Sequence, residues 1–90
     1  MNQAAGNDDD LRDDKRFWRI FGRVLGETLP PGNYAAADLS DWDSLRHIEL
    51  MFELEEQYDV DIDPEQIVAL YSDTDTILTF LRDQRLSANG

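Results

Sequence analysis

The residues best suited to chemistry are Ser44 and two neighbours, Asp43 and His47. A serine nucleophile needs a histidine to take its proton and an acid to orient that histidine. No G-x-S-x-G turn surrounds Ser44, and a histidine three positions along the same predicted helix is not thereby directed at the hydroxyl. The sequence therefore argues against a hydrolase and predicts that His47 is a surface residue.

The second group of possible ligands is the series Asp59, Asp61 and Asp63. Its spacing is that of a calcium loop, in which carboxylates converge on one ion. Such a loop needs glycine at its sixth position and glutamate at its twelfth, where this chain has Pro64 and Leu70. We expect no dedicated metal site here.

The composition predicts one small acidic domain. The chain has 90 residues, 41% of them hydrophobic, and a formal net charge of −12. This charge repels nucleic acid and anionic membranes and favours partners that carry a basic patch. The absence of cysteine excludes disulfides, thiolate metal sites and a cysteine nucleophile. Because no targeting pattern or long apolar run is present, we expect a cytoplasmic, monomeric protein.

Apolar spacing predicts an all-α fold: a small four-helix bundle with three longer helices, a short third helix and a long loop between helices one and two. Pro30 ends the first helix, the loop continues through Trp42, and Asp43 caps the second helix. Trp18 and Trp42 are expected to be packing residues. The predicted helices span residues 13–29, 44–58, 64–70 and 75–86, although threonines in the last segment also allow a strand. The predicted organisation is a disordered acidic tail at 1–12, a folded domain at 13–86 and a flexible end at 87–90.

The second predicted helix has two apolar faces. One face is expected to pack into the core and consists of Leu50, Met51, Leu54 and Tyr58. The other needs a further neighbour or a partner protein. It consists of Leu45, Ile48 and Phe52, flanked by Glu49, Glu53 and Glu56.

The stretch Asp43-Ser44-Leu45, followed by Ile48-Glu49-Leu50, resembles the modification motif of acyl carrier proteins. The resemblance extends over about residues 13–85, the carrier domain, and includes the helix order, the long first loop and the short third helix. It implies that a phosphopantetheinyl transferase attaches 4′-phosphopantetheine from coenzyme A to Ser44, with Asp43 contributing to recognition by the transferase. The missing thiol is then supplied by this arm, which holds acyl groups as thioesters.

The resemblance also implies that the chain is not an enzyme but a stand-alone carrier for fatty acid, polyketide or related specialised biosynthesis. Its partners would be acyl-loading, condensing and modifying enzymes with basic docking patches. The docking residues would be Leu45, Arg46, Ile48, Glu49, Phe52, Glu53 and Glu56. Arg46 departs from the acidic or neutral residue that is common in the family, and could offset repulsion between Asp43 and a phosphate on Ser44.

Two alternatives stay open. An aminoacyl or peptidyl carrier usually has a glycine-rich sequence before the serine, where this chain has Asp41-Trp42-Asp43. An unmodified acidic helical adaptor would bind a basic partner through the same helix, with Ser44 serving only in the helix cap.

Overall fold

A computed structural model describes the backbone of residues 14–89 and the side chains of residues 14–84. The predicted acidic tail, residues 1–12, lies outside the described residues. Within the described range the fold contains four α-helices and no strand, which confirms the predicted all-α class. None of the helices in this range has the length and apolar character needed to cross a bilayer.

The first helix, α1, spans Lys15–Leu25. Asp14 caps its start by accepting a hydrogen bond from the Arg16 amide at 2.9 Å. The predicted end at residue 29 is wrong, because Gly26 adopts a left-handed conformation (φ 77°) and its amide donates to the Gly22 carbonyl. Glycine reaches this conformation without a steric penalty, so the helix terminates there.

The remaining helices are α2 at Ser44–Tyr58, α3 at Pro64–Ala69 and α4 at Thr74–Asn89, with a short 3-10 turn at Ala36–Asp38 in the first loop. The limits of α2 are those predicted. At the start of α3, the Gln66 side chain accepts a hydrogen bond from the Asp63 amide at 3.0 Å. The last segment is a helix rather than a strand, and it continues three residues beyond the predicted end at 86.

The core is built around aromatic side chains of α1. Phe21 is fully buried, and its ring meets that of Trp42 edge to face at 5.2 Å. Trp18 and Trp42 are both buried, as predicted for packing residues. The other buried apolar side chains are Phe17, Ile20, Leu25, Leu50, Met51, Leu54, Ile62, Leu70, Ile77, Leu78 and Leu81. Burial of Trp42 anchors the loop two residues before Ser44.

The middle of the long loop is fastened to the start of α4. The buried Thr74 hydroxyl accepts from the Tyr34 amide at 2.9 Å and donates to the Gly32 carbonyl at 3.1 Å. The Thr74 amide donates to the Tyr34 carbonyl at 2.9 Å, and the Ala36 amide donates to the Ser72 carbonyl at 2.7 Å. We call this hydrogen-bonded group the loop clasp. It satisfies loop backbone groups that α1 and α2 cannot reach.

Candidate functional site

Ser44 is the first residue of α2 and is exposed to solvent. Asp43 has extended backbone geometry (φ −97°, ψ −177°), and its carboxylate accepts from the Arg46 amide at 2.9 Å. The Asp43 carbonyl accepts from the His47 amide at 2.9 Å. Asp43 is therefore the N-cap of α2, as predicted, and its side chain is engaged by the helix.

Two amides of the first turn have no acceptor among residues 14–84. Hydrogen bonds from Arg46 and His47 go to Asp43, whereas the Ser44 and Leu45 amides bond to no atom of residues 14–84. Unpaired amides carry the positive end of the helix dipole, which favours an anion by about 0.3–1 kcal/mol. A phosphate ester on Ser44 would lie beside these groups, so the local donor set suits such a modification.

Arg46 connects the start of α2 to the end of α1. Its Nη1 atom lies 3.3 Å from the Val24 carbonyl oxygen and 3.2 Å from the Leu25 carbonyl oxygen. A guanidinium at the carboxyl end of a helix satisfies carbonyls that lack intrahelical partners and complements the dipole. Arg46 thus links α2 to α1, a role that its position in the sequence does not indicate.

His47 is buried, with 2% of its surface exposed, so the prediction of a surface residue is wrong. The Trp42 indole N–H donates to His47 Nδ1 at 3.1 Å, and His47 Nε2 lies 2.6 Å from the Ile67 carbonyl oxygen. The helical spacing contained the missed signal, because His47 precedes Leu50 and Leu54 by three and seven positions on the core-facing stripe.

The environment of His47 fixes its protonation. An indole N–H can only donate and a carbonyl can only accept, so Nδ1 is unprotonated and Nε2 carries the hydrogen. Burial lowers the pKa of His47, and the hydrogen bond to Ile67 partly opposes this shift. His47 is therefore the neutral tautomer at neutral pH. With Nδ1 occupied by Trp42, it is not placed as a base for Ser44.

The predicted partner-facing apolar side chains are exposed rather than packed in the core. Leu45 is 65% exposed, Ile48 42% and Phe52 58%. On α3, Val68 is 73% exposed and was not singled out from the sequence. We call Leu45, Ile48 and Phe52 the α2 strip. Large apolar side chains grouped on one helix face are typical of interaction surfaces.

The three glutamates that flank the α2 strip differ in their surroundings. Glu49 and Glu56 are exposed. Glu53 is half-buried and pairs with Arg23 of α1 at 2.7 Å. The negative charge available to a partner is therefore greatest at Glu49 and Glu56.

In the described residues, no group of three or more histidine, aspartate or glutamate side chains is arranged to hold a metal ion. This includes the aspartates at positions 59, 61 and 63.

Comparisons with protein-family models, with curated proteins and with solved structures found no match for this chain.

The chemistry that the site supports is that of an acceptor. Ser44 offers an exposed hydroxyl, but the nearest histidine in sequence is buried and already hydrogen-bonded on both ring nitrogens. A hydroxyl without a base is a weak nucleophile at neutral pH. His47 is therefore not available to activate the Ser44 hydroxyl.

Proposed function

We propose that this protein is an acyl carrier protein, with 4′-phosphopantetheine attached to Ser44. The observation that carries the proposal is an exposed serine, within Asp43-Ser44-Leu45, at the start of an acidic helix. A carrier must present its hydroxyl to a modifying enzyme, and later present the arm to other enzymes. Exposure of Ser44 at a fixed helix start meets both requirements.

The residues around Ser44 suit the arm. The unpaired Ser44 and Leu45 amides favour the phosphodiester, while Asp43 holds the helix start in place. The arm supplies a thiol, which this cysteine-free chain lacks, and carries acyl groups as thioesters. The protein's own part is to hold the attachment point and to dock, so that tethering raises the cargo's effective concentration at each partner's active site.

Docking would use the α2 strip together with the exposed glutamates at positions 49 and 56 beside it. Exposed Leu45, Ile48 and Phe52 supply apolar contact area, and Glu49 and Glu56 steer a basic partner into register. Single exposed ion pairs contribute about 0.2–1 kcal/mol each, so docking of this kind is short-lived. Short-lived docking suits a carrier that must visit loading, condensing and modifying enzymes in fatty acid, polyketide or specialised biosynthesis.

The test is intact mass after incubation with coenzyme A and a promiscuous phosphopantetheinyl transferase. We expect a gain of one phosphopantetheinyl group in the wild-type chain and in Ser40→Ala, a control at another exposed serine, but not in Ser44→Ala. An unchanged wild-type mass, under conditions that modify a known carrier, would contradict the proposal. The mass of the thioester on protein from the native host would identify the cargo, and would separate an acyl carrier from an aminoacyl or peptidyl carrier.

A second candidate function is an unmodified acidic adaptor, favoured by the α2 strip, which can bind a partner without any arm. This candidate predicts that Ser44→Ala retains full biological activity. The carrier proposal predicts complete loss of activity in the same variant. Complementation in the native host therefore distinguishes them.

A further inference from the structure

A buried hydrogen-bonded group lies directly behind Ser44. Trp42, two residues before it, donates to His47, three residues after it, and His47 donates to the Ile67 carbonyl of α3. Tyr71 completes the group, since its hydroxyl donates to the Trp42 carbonyl at 2.9 Å and its ring stacks on His47 at 4.8 Å. We call these four residues the His47 network.

The network restrains the chain on both sides of the attachment serine. Trp42 is 1% exposed and His47 is 2% exposed, whereas Ser44 between them is exposed. A buried histidine that uses both ring nitrogens has one orientation, because any rotation leaves an indole donor or a carbonyl acceptor unpaired. Each such loss is unfavourable because the buried group has neither a protein partner nor water. The backbone from 42 to 47 is thereby fixed relative to α3.

We propose that His47 is a positioning residue for the modification of Ser44, holding the hydroxyl in the orientation that a phosphopantetheinyl transferase requires and coupling that orientation to α3. This inference rests on the proposed function. His47 acts through Trp42 and Ile67, and no hydrogen bond within residues 14–84 joins it to the Ser44 hydroxyl. A nucleophile displaced by about 1 Å can lose up to about 100-fold in rate, so an effect on Ser44 does not require unfolding.

Three variants test the proposal. His47→Leu removes both hydrogen bonds. His47→Asn keeps an oxygen acceptor near the position of Nδ1 and so retains a partner for Trp42. Leu81→Ala, at a buried α4 position outside the network, provides a matched loss of core packing.

The measurement is the rate of Ser44 modification with coenzyme A and the promiscuous transferase, corrected for the folded fraction by circular dichroism. We expect His47→Leu to lower kcat/KM by about tenfold, mainly through kcat, because the hydroxyl is misplaced after docking. His47→Asn should recover part of the loss, and Leu81→Ala should match the wild type. Equal corrected rates for His47→Leu and Leu81→Ala, or no rescue by His47→Asn, would overturn the proposal.

A second measurement does not depend on modification. Nitrogen-15 NMR of the wild-type imidazole at neutral pH should show a single neutral tautomer with hydrogen on Nε2. Amide exchange at residues 41–45 should accelerate in His47→Leu but not in Leu81→Ala. A tautomer with hydrogen on Nδ1, or equal exchange in the two variants, would overturn the positioning role. If the wild type is not modified at all, the proposed function fails, while this measurement still decides whether His47 orders the segment.

Discussion

Arg23 donates a hydrogen bond to the Glu53 carboxylate across 2.7 Å, joining α1 to the helix that begins at Ser44. The two side chains are 57% and 36% exposed, so water and salt screen the pair. Glu53 therefore has an intramolecular partner, whereas the exposed glutamates at 49 and 56 pair with no side chain among residues 14–84.

The glutamates of α2 should differ in their effect on docking. Replacing Glu53 with Gln should lower the free energy of unfolding by less than about 1 kcal/mol, since an exposed ion pair contributes little. Glu49→Gln and Glu56→Gln should raise KM for the transferase more than Glu53→Gln does, because their charges are free to meet a basic surface. Steady-state kinetics at low and high salt measures the difference. A larger rise for Glu53→Gln would show that the partner displaces Arg23.

Arg46 should stabilise the fold through the carboxyl end of α1. Arg46→Gln removes a charged donor from the Val24 and Leu25 carbonyls, and should lower the free energy of unfolding by about 1–2 kcal/mol. Arg46→Lys keeps the charge but lacks the guanidinium geometry, so we expect only partial recovery. Urea unfolding measures both. Wild-type stability in Arg46→Gln, together with slower modification of Ser44, would instead assign Arg46 to docking.

Gly22 should not tolerate a side chain, although it lies within a helix. A Cβ at this position would lie 2.5 Å from the Glu27 carbonyl oxygen, where the chain turns back after Gly26. Alanine favours helix by about 1 kcal/mol over glycine, but the forced backbone shift outweighs this gain. We expect Gly22→Ala to lower the free energy of unfolding by about 1–3 kcal/mol. Gly32→Ala is the control, because its Cβ would meet only the Tyr34 ring at an ordinary 3.5 Å.

Ionisation of Glu27 should lower the free energy of unfolding as pH rises from mildly acidic values. A hydrogen bond with Asp41, followed by slight desolvation and the Asp41 charge, raises the pKa of Glu27 above its ordinary 4.5. A group with a raised pKa stabilises the fold below the unfolded pKa, and this contribution is lost as pH rises through the folded pKa. Glu27→Gln cannot ionise, so it should be more stable than the wild type at neutral pH, with a smaller advantage at mildly acidic pH. Glu56→Gln is the control; an equal gain there would reflect net charge alone.

His47 should change the free energy of unfolding with pH in the direction opposite to Glu27, so that its contribution to stability rises as pH rises. Its pKa is lowered from the ordinary 6.5, chiefly by burial, so the stability it contributes is present above that value and is lost as pH falls through the folded pKa. A proton on Nδ1 would turn this nitrogen into a donor, so the imidazole N–H and the Trp42 indole N–H would point at each other with no acceptor between them. The groups packed against the imidazole are the Trp42 indole, the Ile67 carbonyl and the Tyr71 ring, while Asp43 and Arg46 lie on its own helix turn. Unfolding experiments below pH 6.5 should show a loss in the wild type that is absent in His47→Asn.

Local signals in the sequence were sufficient for α2. The Asp43 cap and the apolar period fixed both of its ends, and the period also separated the buried Leu50 from the exposed Leu45. These features depend mainly on residues within one or two helical turns, so the local sequence was sufficient to predict them.

The errors arose where a residue's partner is distant in sequence. Its residue type predicts that His47 lies at the surface, whereas its burial depends on Trp42 and on Ile67 of α3. The predicted end of α1 at residue 29 depends on Pro30 as the helix stop, whereas the chain already turns at Gly26. The guanidinium of Arg46 reaches carbonyls 21 and 22 positions away, which no spacing rule within a helix indicates.

The loop clasp divides the connection between α1 and α2 into two spans, residues 27–31 and residues 37–43. Because the entropy cost of closing a loop grows only slowly with its length, extra residues inserted between Leu39 and Trp42, beyond the 3-10 turn, lengthen one span and leave the other unchanged. Because the Thr74 hydroxyl holds the loop at Tyr34 and Gly32, each span can be altered separately. The segment leading to Ser44 can be lengthened, or given a reporter peptide, without altering how the first helix joins the bundle.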